Sequence, residues 1–282
     1  MQIDLHAHST ASDGTSTPVE LVAEAAAAGL DVVALTDHDT TAGWSAAAEA
    51  RPDGLALVPG AELSCRWRGG PWPISLHLLA YLFDPSDPTL AGELARVRMA
   101  RETRAERMVE LMHADGIDVT WEEILQDAAG GTVGRPHLAK ALIRRGLVTT
   151  VTEAFEPQWL GTRYRVPKED LDVFAALRLV LDAGGVPVFA HPRASVRGPV
   201  VPDSLIIEMA GAGLFGLEAD HTDHNPEERA QIRALAGELG LVVTGSSDYH
   251  GTNKTVRLGA RTTAPEVLER ITAAGHGSNV LG

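Results

Sequence analysis

Ile3-Asp4-Leu5-His6-Ala7-His8 opens the chain with a short apolar run that ends in two histidines. The same arrangement recurs along the sequence. Val32 to Thr36 is followed by Asp37 and His38, Leu55 to Val58 by Glu62 after a short turn, Val186 to Ala190 by His191, and Leu241 to Thr244 by Asp248 and His250. His77 lies inside the run Ile74 to Leu79, and Leu214 to Leu217 is a further run of the same kind. Short apolar, β-branched runs read as buried strands. Between several of them lie helical patterns, such as Pro18 to Ala28 with a Thr17 cap and a Gly29 stop, and Pro226 to Leu239 with an Asn225 cap and a Gly240 stop. Strand and helix in alternation predict an α/β fold with a parallel sheet or barrel. In an α/β barrel the C-terminal strand ends share one face, where loops build the active site. Polar residues far apart in sequence are therefore expected to converge.

The converging residue types are those of a metal site. Side chains two apart on a strand point the same way, so His6 and His8 form neighbouring imidazole donors. His38, His77, His191 and His250 add imidazoles, while Asp13, Glu62 and Asp248 add oxygen donors able to bridge ions. Such a set exceeds what one ion needs and predicts two or three divalent metals, with Mn, Fe and Zn all suited to the donors. Ions about 3.5–4 Å apart can clamp the oxygens of a phosphate, which makes phosphoester hydrolysis the expected chemistry. Any one of these histidines also has a structural reading, as a capped or hydrogen-bonded residue; a barrel does not need six of them near strand ends or in strands. His113 and His276 fall in helix-like segments and read as surface residues, and His224 reads as a helix start.

Leu90 to His113 breaks the strand–helix rhythm with a long charged helix carrying Arg96, Arg98, Arg101, Arg104 and Arg107. More helical segments follow to about Leu171. The expected organisation is a barrel from residues 1–90 and 172–282, interrupted by a helical insertion over 91–171. Two readings of the arginines stand, a solvated helix face or a substrate-facing lid. At 282 residues with 44% apolar composition the chain has ample core, and no apolar run is long enough to span a bilayer. The N-terminus lacks a signal-peptide pattern and Cys65 is the only cysteine, so a cytoplasmic protein is expected. A net charge of -14 argues against a broad surface for duplex DNA and leaves a small anionic substrate or a single-stranded end.

The segments Asp4-Leu5-His6-Ala7-His8-Ser9, Ser12-Asp13-Gly14, Thr36-Asp37-His38-Asp39, Gly60-Ala61-Glu62, Ala190-His191-Pro192 and Ser246-Ser247-Asp248-Tyr249-His250 together resemble the polymerase and histidinol phosphatase (PHP) family. The resemblance implies a distorted (β/α)7 barrel with a trinuclear site at its C-terminal face. It implies that His6 and His8 bind one metal with Glu62 and Asp248, that Glu62 bridges to a second held by His77 and His191, and that Asp13, His38 and His250 hold the third. Asp37 would orient a ligand histidine, unless it is a turn or helix cap. Gly134-Arg135-Pro136-His137 resembles the motif of a subgroup that hydrolyses nucleotide phosphates. In that reading Arg135 grips phosphate, His137 donates to a phosphate oxygen or binds the substrate, and His221 contacts the substrate phosphate or the leaving group, with His221 or a metal-bound water as the catalytic proton donor to the leaving oxygen; a structural arginine is the competing view of Arg135. Lys254 and Arg257 add charge near the site or serve loop solubility. The implied activity is a 3',5'-bisphosphonucleotide phosphatase or a 5'-to-3' exonuclease on short oligonucleotides. A histidinol-phosphate phosphatase and a non-catalytic, nucleic-acid-associated module are the alternatives.

Overall fold

The computed structural model describes residues 1–128 and 130–282. Its strands are β1 (Ile3–Ala7), β2 (Val32–Leu35), β3 (Ala56–Trp67), β4 (Ile74–Tyr81), β5 (Leu171–Asp172), β6 (Val186–Ala190), β7 (Gly216–Asp220) and β8 (Val242–Gly245). The helices are α1 (Pro18–Ala27), α2 (Trp44–Ala50), α3 (Pro88–Ala114), α4 (Trp121–Ala128), α5 (Arg135–Arg144), α6 (Val151–Ala154), α7 (Val173–Asp182), α8 (Asp203–Gly211), α9 (Pro226–Leu239) and α10 (Pro265–Ala274). The main sheet runs β1-β2-β3-β4-β6-β7-β8, with the short β5 attached to β3. Ala7 bridges Tyr249 just beyond β8, and the His8 amide donates to the Tyr249 carbonyl at 2.8 Å, so the sheet curls into a nearly closed barrel.

The expected α/β barrel is present, with two corrections. The sheet is not wholly parallel: β4 is antiparallel to both β3 and β6. Arg68 to Pro73 is too short a connection for a crossover, so the chain turns back on itself. Glu62 also does not follow a strand and turn; β3 continues through it to Trp67. Reversal of β4 carries its beginning to the C-terminal mouth, where His77 pairs with Ala190, the last residue of β6. That is how a histidine early in a strand reaches the site.

Every residue of β1, β2 and β6 is buried, as expected for strands covered on both faces. Leu79, Tyr81 and Val188 fill the barrel with Ile3 and Leu5, while Leu78, Ala80 and Phe189 pack outward with α7, α8 and α9. The caps read from the sequence are formed: Thr17 and Asn225 each make a capping box, with Glu20 and Glu228, and Gly240 ends α9 in a left-handed conformation.

Helix α3 joins two cores. Leu90, Leu94 and Val97 pack on the outside of the barrel, whereas Ala105, Met108, Val109 and Met112 belong to a separate cluster with Ile124, Leu138 and Tyr164. Three of its arginines do not form a solvated face. Arg98 donates to the Asp39 carbonyl at 2.6 Å, Arg101 pairs with the Asp39 carboxylate at 2.9 Å, and Arg104 is buried. Arg96 and Arg107 do point outward, pairing with Glu93 and Glu110. The helical segment touches the barrel mouth again through Thr132, whose amide donates to the Ala11 carbonyl at 2.9 Å and whose hydroxyl donates to the His38 carbonyl at 3.2 Å.

Candidate metal centre

All nine side chains expected as ligands meet at the C-terminal mouth of the barrel. Glu62 stands at the centre, fully inside. Its Oε1 lies 2.8 Å from His77 Nδ1 and 3.0 Å from His191 Nε2; its Oε2 lies 3.1 Å from both His6 Nε2 and His8 Nε2 and 3.3 Å from His38 Nδ1. Donor atoms of His6, His8, Glu62 and Asp248 fall within 4.8 Å of one another, as do those of His8, Asp13, His38 and His250, and those of His38, Glu62 and His77. The first grouping is the one the resemblance implied. In the others His8 also faces Asp13, and His38 also faces Glu62.

Local backbone devices aim these groups. The β1–β2 register shifts between Asp4 and Ala7, and the β7–β8 register between Glu218 and Asp220; such bulges re-aim side chains beside active sites. Asp39, His191 and Asp248 adopt positive φ angles of 55°, 33° and 54°, a conformation that side chains other than glycine seldom hold without compensating contacts. His191 has such a contact, its amide donating to Glu218 Oε2 at 2.7 Å.

The cluster fits divalent ions better than it fits itself. His6 Nε2 and His8 Nε2 are 3.0 Å apart, two ring nitrogens competing for whatever lies between them. His38 Nδ1, His77 Nδ1 and Asp248 Oδ1 are buried yet have no hydrogen-bond partner among the described residues. His77 Nδ1 is close to Glu62 Oε1 without being aligned for a hydrogen bond, and Asp248 Oδ1 lies 3.4 Å from His6 Nε2, His8 Nε2 and His250 Nδ1. Lone pairs crowded about common points without bonding each other are what a cation satisfies. Electrostatics agree. Burial opposes charge on His6, but the carboxylates of Glu62, Asp248 and Glu218 outweigh it and hold its proton well above the ordinary range. His8 is likewise pushed up to about 9, against burial, by Asp248 and Glu62. His191 goes the other way, to about 3, through burial and the charge of Arg197. In the bare protein, protons partly offset the carboxylates.

Asp248 divides its oxygens. Oδ2 accepts from Arg197 at 2.6 Å, from Lys254 at 2.5 Å and from His221 Nε2 at 3.2 Å, leaving Oδ1 free toward the histidines. His221 Nδ1 accepts the Asp223 amide at 2.9 Å, so the neutral ring carries its proton on Nε2 and donates it to Asp248. His221 is wholly buried with both nitrogens engaged. His137 is also buried, and its Nδ1 accepts the Gly134 amide at 3.0 Å, capping α5. Asp37 accepts from the Ser9 amide and hydroxyl and the Ser12 hydroxyl, and so fixes the loop behind His8 rather than touching a ligand histidine.

Sequence reasoning passed over Glu218 and Arg197. Glu218 Oε1 lies 3.0 Å from His6 Nδ1 and also receives the Ser246 hydroxyl; it orients the His6 ring and the backbone of His191. Its position just after Leu214 to Leu217 was the available signal, since it ends a strand as the other site residues do. Arg197 had none, being placed by the irregular segment after β6.

A cavity of about 950 Å³ opens beside the cluster, with His77 and His191 in its wall together with Arg104, Arg135, Arg165, Lys168 and Arg197. The guanidinium of Arg135 sits 4.9 Å over the ring of Phe155.

The PHP domain pattern matches residues 4–129. A 5'-3' exoribonuclease from Haemophilus influenzae is 33% identical over 260 residues, covering 91% of this chain and 92% of the relative. A 3',5'-nucleoside bisphosphate phosphatase from Chromobacterium violaceum is 31% identical over 251 residues, covering 88% and 87%. Among solved structures, a Bifidobacterium adolescentis chain assigned as a metal-dependent phosphoesterase superposes with a TM-score of 0.91 at 36% identity, covering 97% of this chain and 96% of its own. With the pattern at the N-terminal half, relatives matched over nearly their whole length and the barrel shared throughout, the chain belongs to the PHP family and is a phosphoester hydrolase.

Proposed function

We propose that this chain hydrolyses phosphate esters of nucleotides or short oligonucleotides, and that the nine converging side chains of the mouth hold two or three divalent ions for that reaction. The observation that carries the reading is the shared cavity: His77 and His191 of the cluster lie in one wall with Arg135 and other cations. Such a cavity suits an anion larger than phosphate alone. Bound ions would supply charge neutralisation on the reacting phosphate and an activated water.

The protein's own groups do the rest. Arg135, its guanidinium 4.9 Å over the ring of Phe155, offers a bidentate donor to a phosphate oxygen pair. Asp248 keeps one oxygen toward the cluster because Arg197, Lys254 and His221 occupy the other. His221 thereby acts as a positioning residue for Asp248, and His137 as a cap that fixes Arg135 at the start of α5. Relatives named as an exoribonuclease and as a bisphosphate phosphatase support the nucleotide substrate.

The test is a turnover comparison of the full chain, reconstituted with Mn, on adenosine 3',5'-bisphosphate, a 5'-phosphorylated short RNA and histidinol phosphate, with metal content measured in parallel. Nucleotide substrates are expected to turn over fastest, and Arg135→Ala to lower their kcat/KM by about 10-fold or more, the worth of one charge-assisted contact. Faster turnover of histidinol phosphate, or full activity in Arg135→Ala, overturns the reading.

A further inference from the structure

Asp13, one of the four groups that meet as His8, Asp13, His38 and His250, lies in the connection from β1 to α1. That connection is covered by Gly131 and Thr132, which lie between α4 and α5. A Cβ on Gly131 would run into the Thr10 carbonyl oxygen and stand 3.0 Å from the Ala11 carbonyl, so glycine alone lets the two backbones approach this closely. Thr132, only 3% exposed, grips two connections at once. Its amide donates to the Ala11 carbonyl at 2.9 Å and its hydroxyl to the His38 carbonyl at 3.2 Å. Asp37 already joins those connections at Ser9 and Ser12; Thr132 joins them at His38 itself and two residues before Asp13. Two residues further on, a Cβ at Gly134 would stand 4.0 Å from that of Asp13, and Arg135 then begins α5. Among the described residues, no hydrogen bond joins the chain between β4 and β5 to His6, His8, Glu62 or Asp248. The contact is therefore placed to govern one grouping of donors and to leave the other standing.

Resting on the reading that the converging side chains hold divalent ions, we propose that Gly131 and Thr132 are positioning residues for the ion at His8, Asp13, His38 and His250, and that this ion in turn seats the start of α5. Asp13 and His38 keep their donor spacing while the Gly131–Thr132 contact is docked on their backbones. Linkage is reciprocal, so an ion that favours the docked arrangement stabilises the docked segment by the same free energy. Arg135 and His137 stand in the first turn of the helix that this segment opens. Loading of one ion and placement of Arg135 at the cavity are then a single equilibrium.

The experiment titrates the full chain, freed of metal by chelation, with Mn and counts bound Mn per chain by equilibrium dialysis. Gly131→Ala is expected to weaken one ion by about 10–100-fold, as loss of a group behind a metal ligand does, and to leave the remainder at native affinity. Asp13→Ala is expected to lose the same ion, so adding Gly131→Ala to it costs no second one. Thr132→Val is expected to weaken that ion in the same direction, and Thr132→Ser, which keeps the hydroxyl, to restore it. The threonine pair carries the test should Gly131→Ala not fold. In hydrogen–deuterium exchange, Mn is expected to slow the amides of residues 131–140 in the native chain and not in Asp13→Ala. Equal weakening of every ion, or native binding in both Gly131→Ala and Thr132→Val, overturns the positioning role. Exchange over 131–140 that ignores Mn in the native chain overturns the seating of α5. A native chain that binds no Mn overturns the metal reading itself; Mn bound by the native chain without selective loss in the variants overturns this proposal alone.

Discussion

At the scale of single residues, Glu218 shows how the site depends on groups that touch no substrate. It is fully buried, and it receives the Ser246 hydroxyl, the His191 amide and the ring of His6. All three partners donate, so an amide in place of the carboxylate must turn its NH2 toward one of them. Glu218→Gln is therefore expected to lower Mn affinity or kcat by about 10–100-fold while the fold persists, as loss of a group that orients a metal-ligating histidine does. A Mn titration matching that of the native chain would sink this assignment. The residues that converge at the mouth were legible in the sequence because imidazole and carboxylate are few and the strand-end position is a strong filter. Roles that depend on which atom is already occupied were not legible. His221 carries a ligand-like name in a ligand-like place, but only the Asp223 amide on its Nδ1 shows that its proton is directed at Asp248.

At the scale of elements, the strands were readable from apolar runs, but strand direction was not. Nothing in Ile74 to Tyr81 marks it as antiparallel; the short link from Trp67 decides it, and with it the approach of His77. Helix α3 was readable as a helix and not as a buried one, because arginines read as solvated until a carboxylate is found beneath them. That carboxylate is Asp39, wholly buried, which also accepts the Ser64 amide at 2.7 Å and follows His38 directly. Arg101 ties α3 to it with a side chain 12% exposed. Removing one partner of such a pair leaves a buried charge uncompensated, so Arg101→Ala is expected to destabilise the chain by about 3–5 kcal/mol in urea unfolding. A loss below about 1 kcal/mol, the range of exposed ion pairs, would show that the pair is solvated instead.

At the scale of the whole molecule, charge is segregated. The chain carries a net charge of -14, yet gathers Arg104, Arg135, Arg165 and Lys168 around one cavity. A net negative charge disfavours polyanions at large, while a local positive wall favours a small anion inside it. The arrangement has a thermodynamic signature in Lys168. Burial, opposed by Asp170, and then the charges of Arg101, Arg104 and Arg135 bring its pKa from an ordinary 10.5 to about 8; Arg165 faces the same cavity, and Glu169 adjoins Lys168 in sequence. Between those two values the unfolded chain binds more protons at this position than the folded one, so this contribution to stability rises with pH. Below about pH 8 the folded state bears the full repulsion of a charged Lys168; toward pH 10.5 it is relieved. Lys168→Met removes the charge at every pH. In thermal unfolding without phosphate the variant is expected to exceed the native chain by the widest margin below about pH 8, with the margin narrowing as pH rises. A margin independent of pH would mean that Lys168 titrates normally and that the cavity wall is not electrostatically strained.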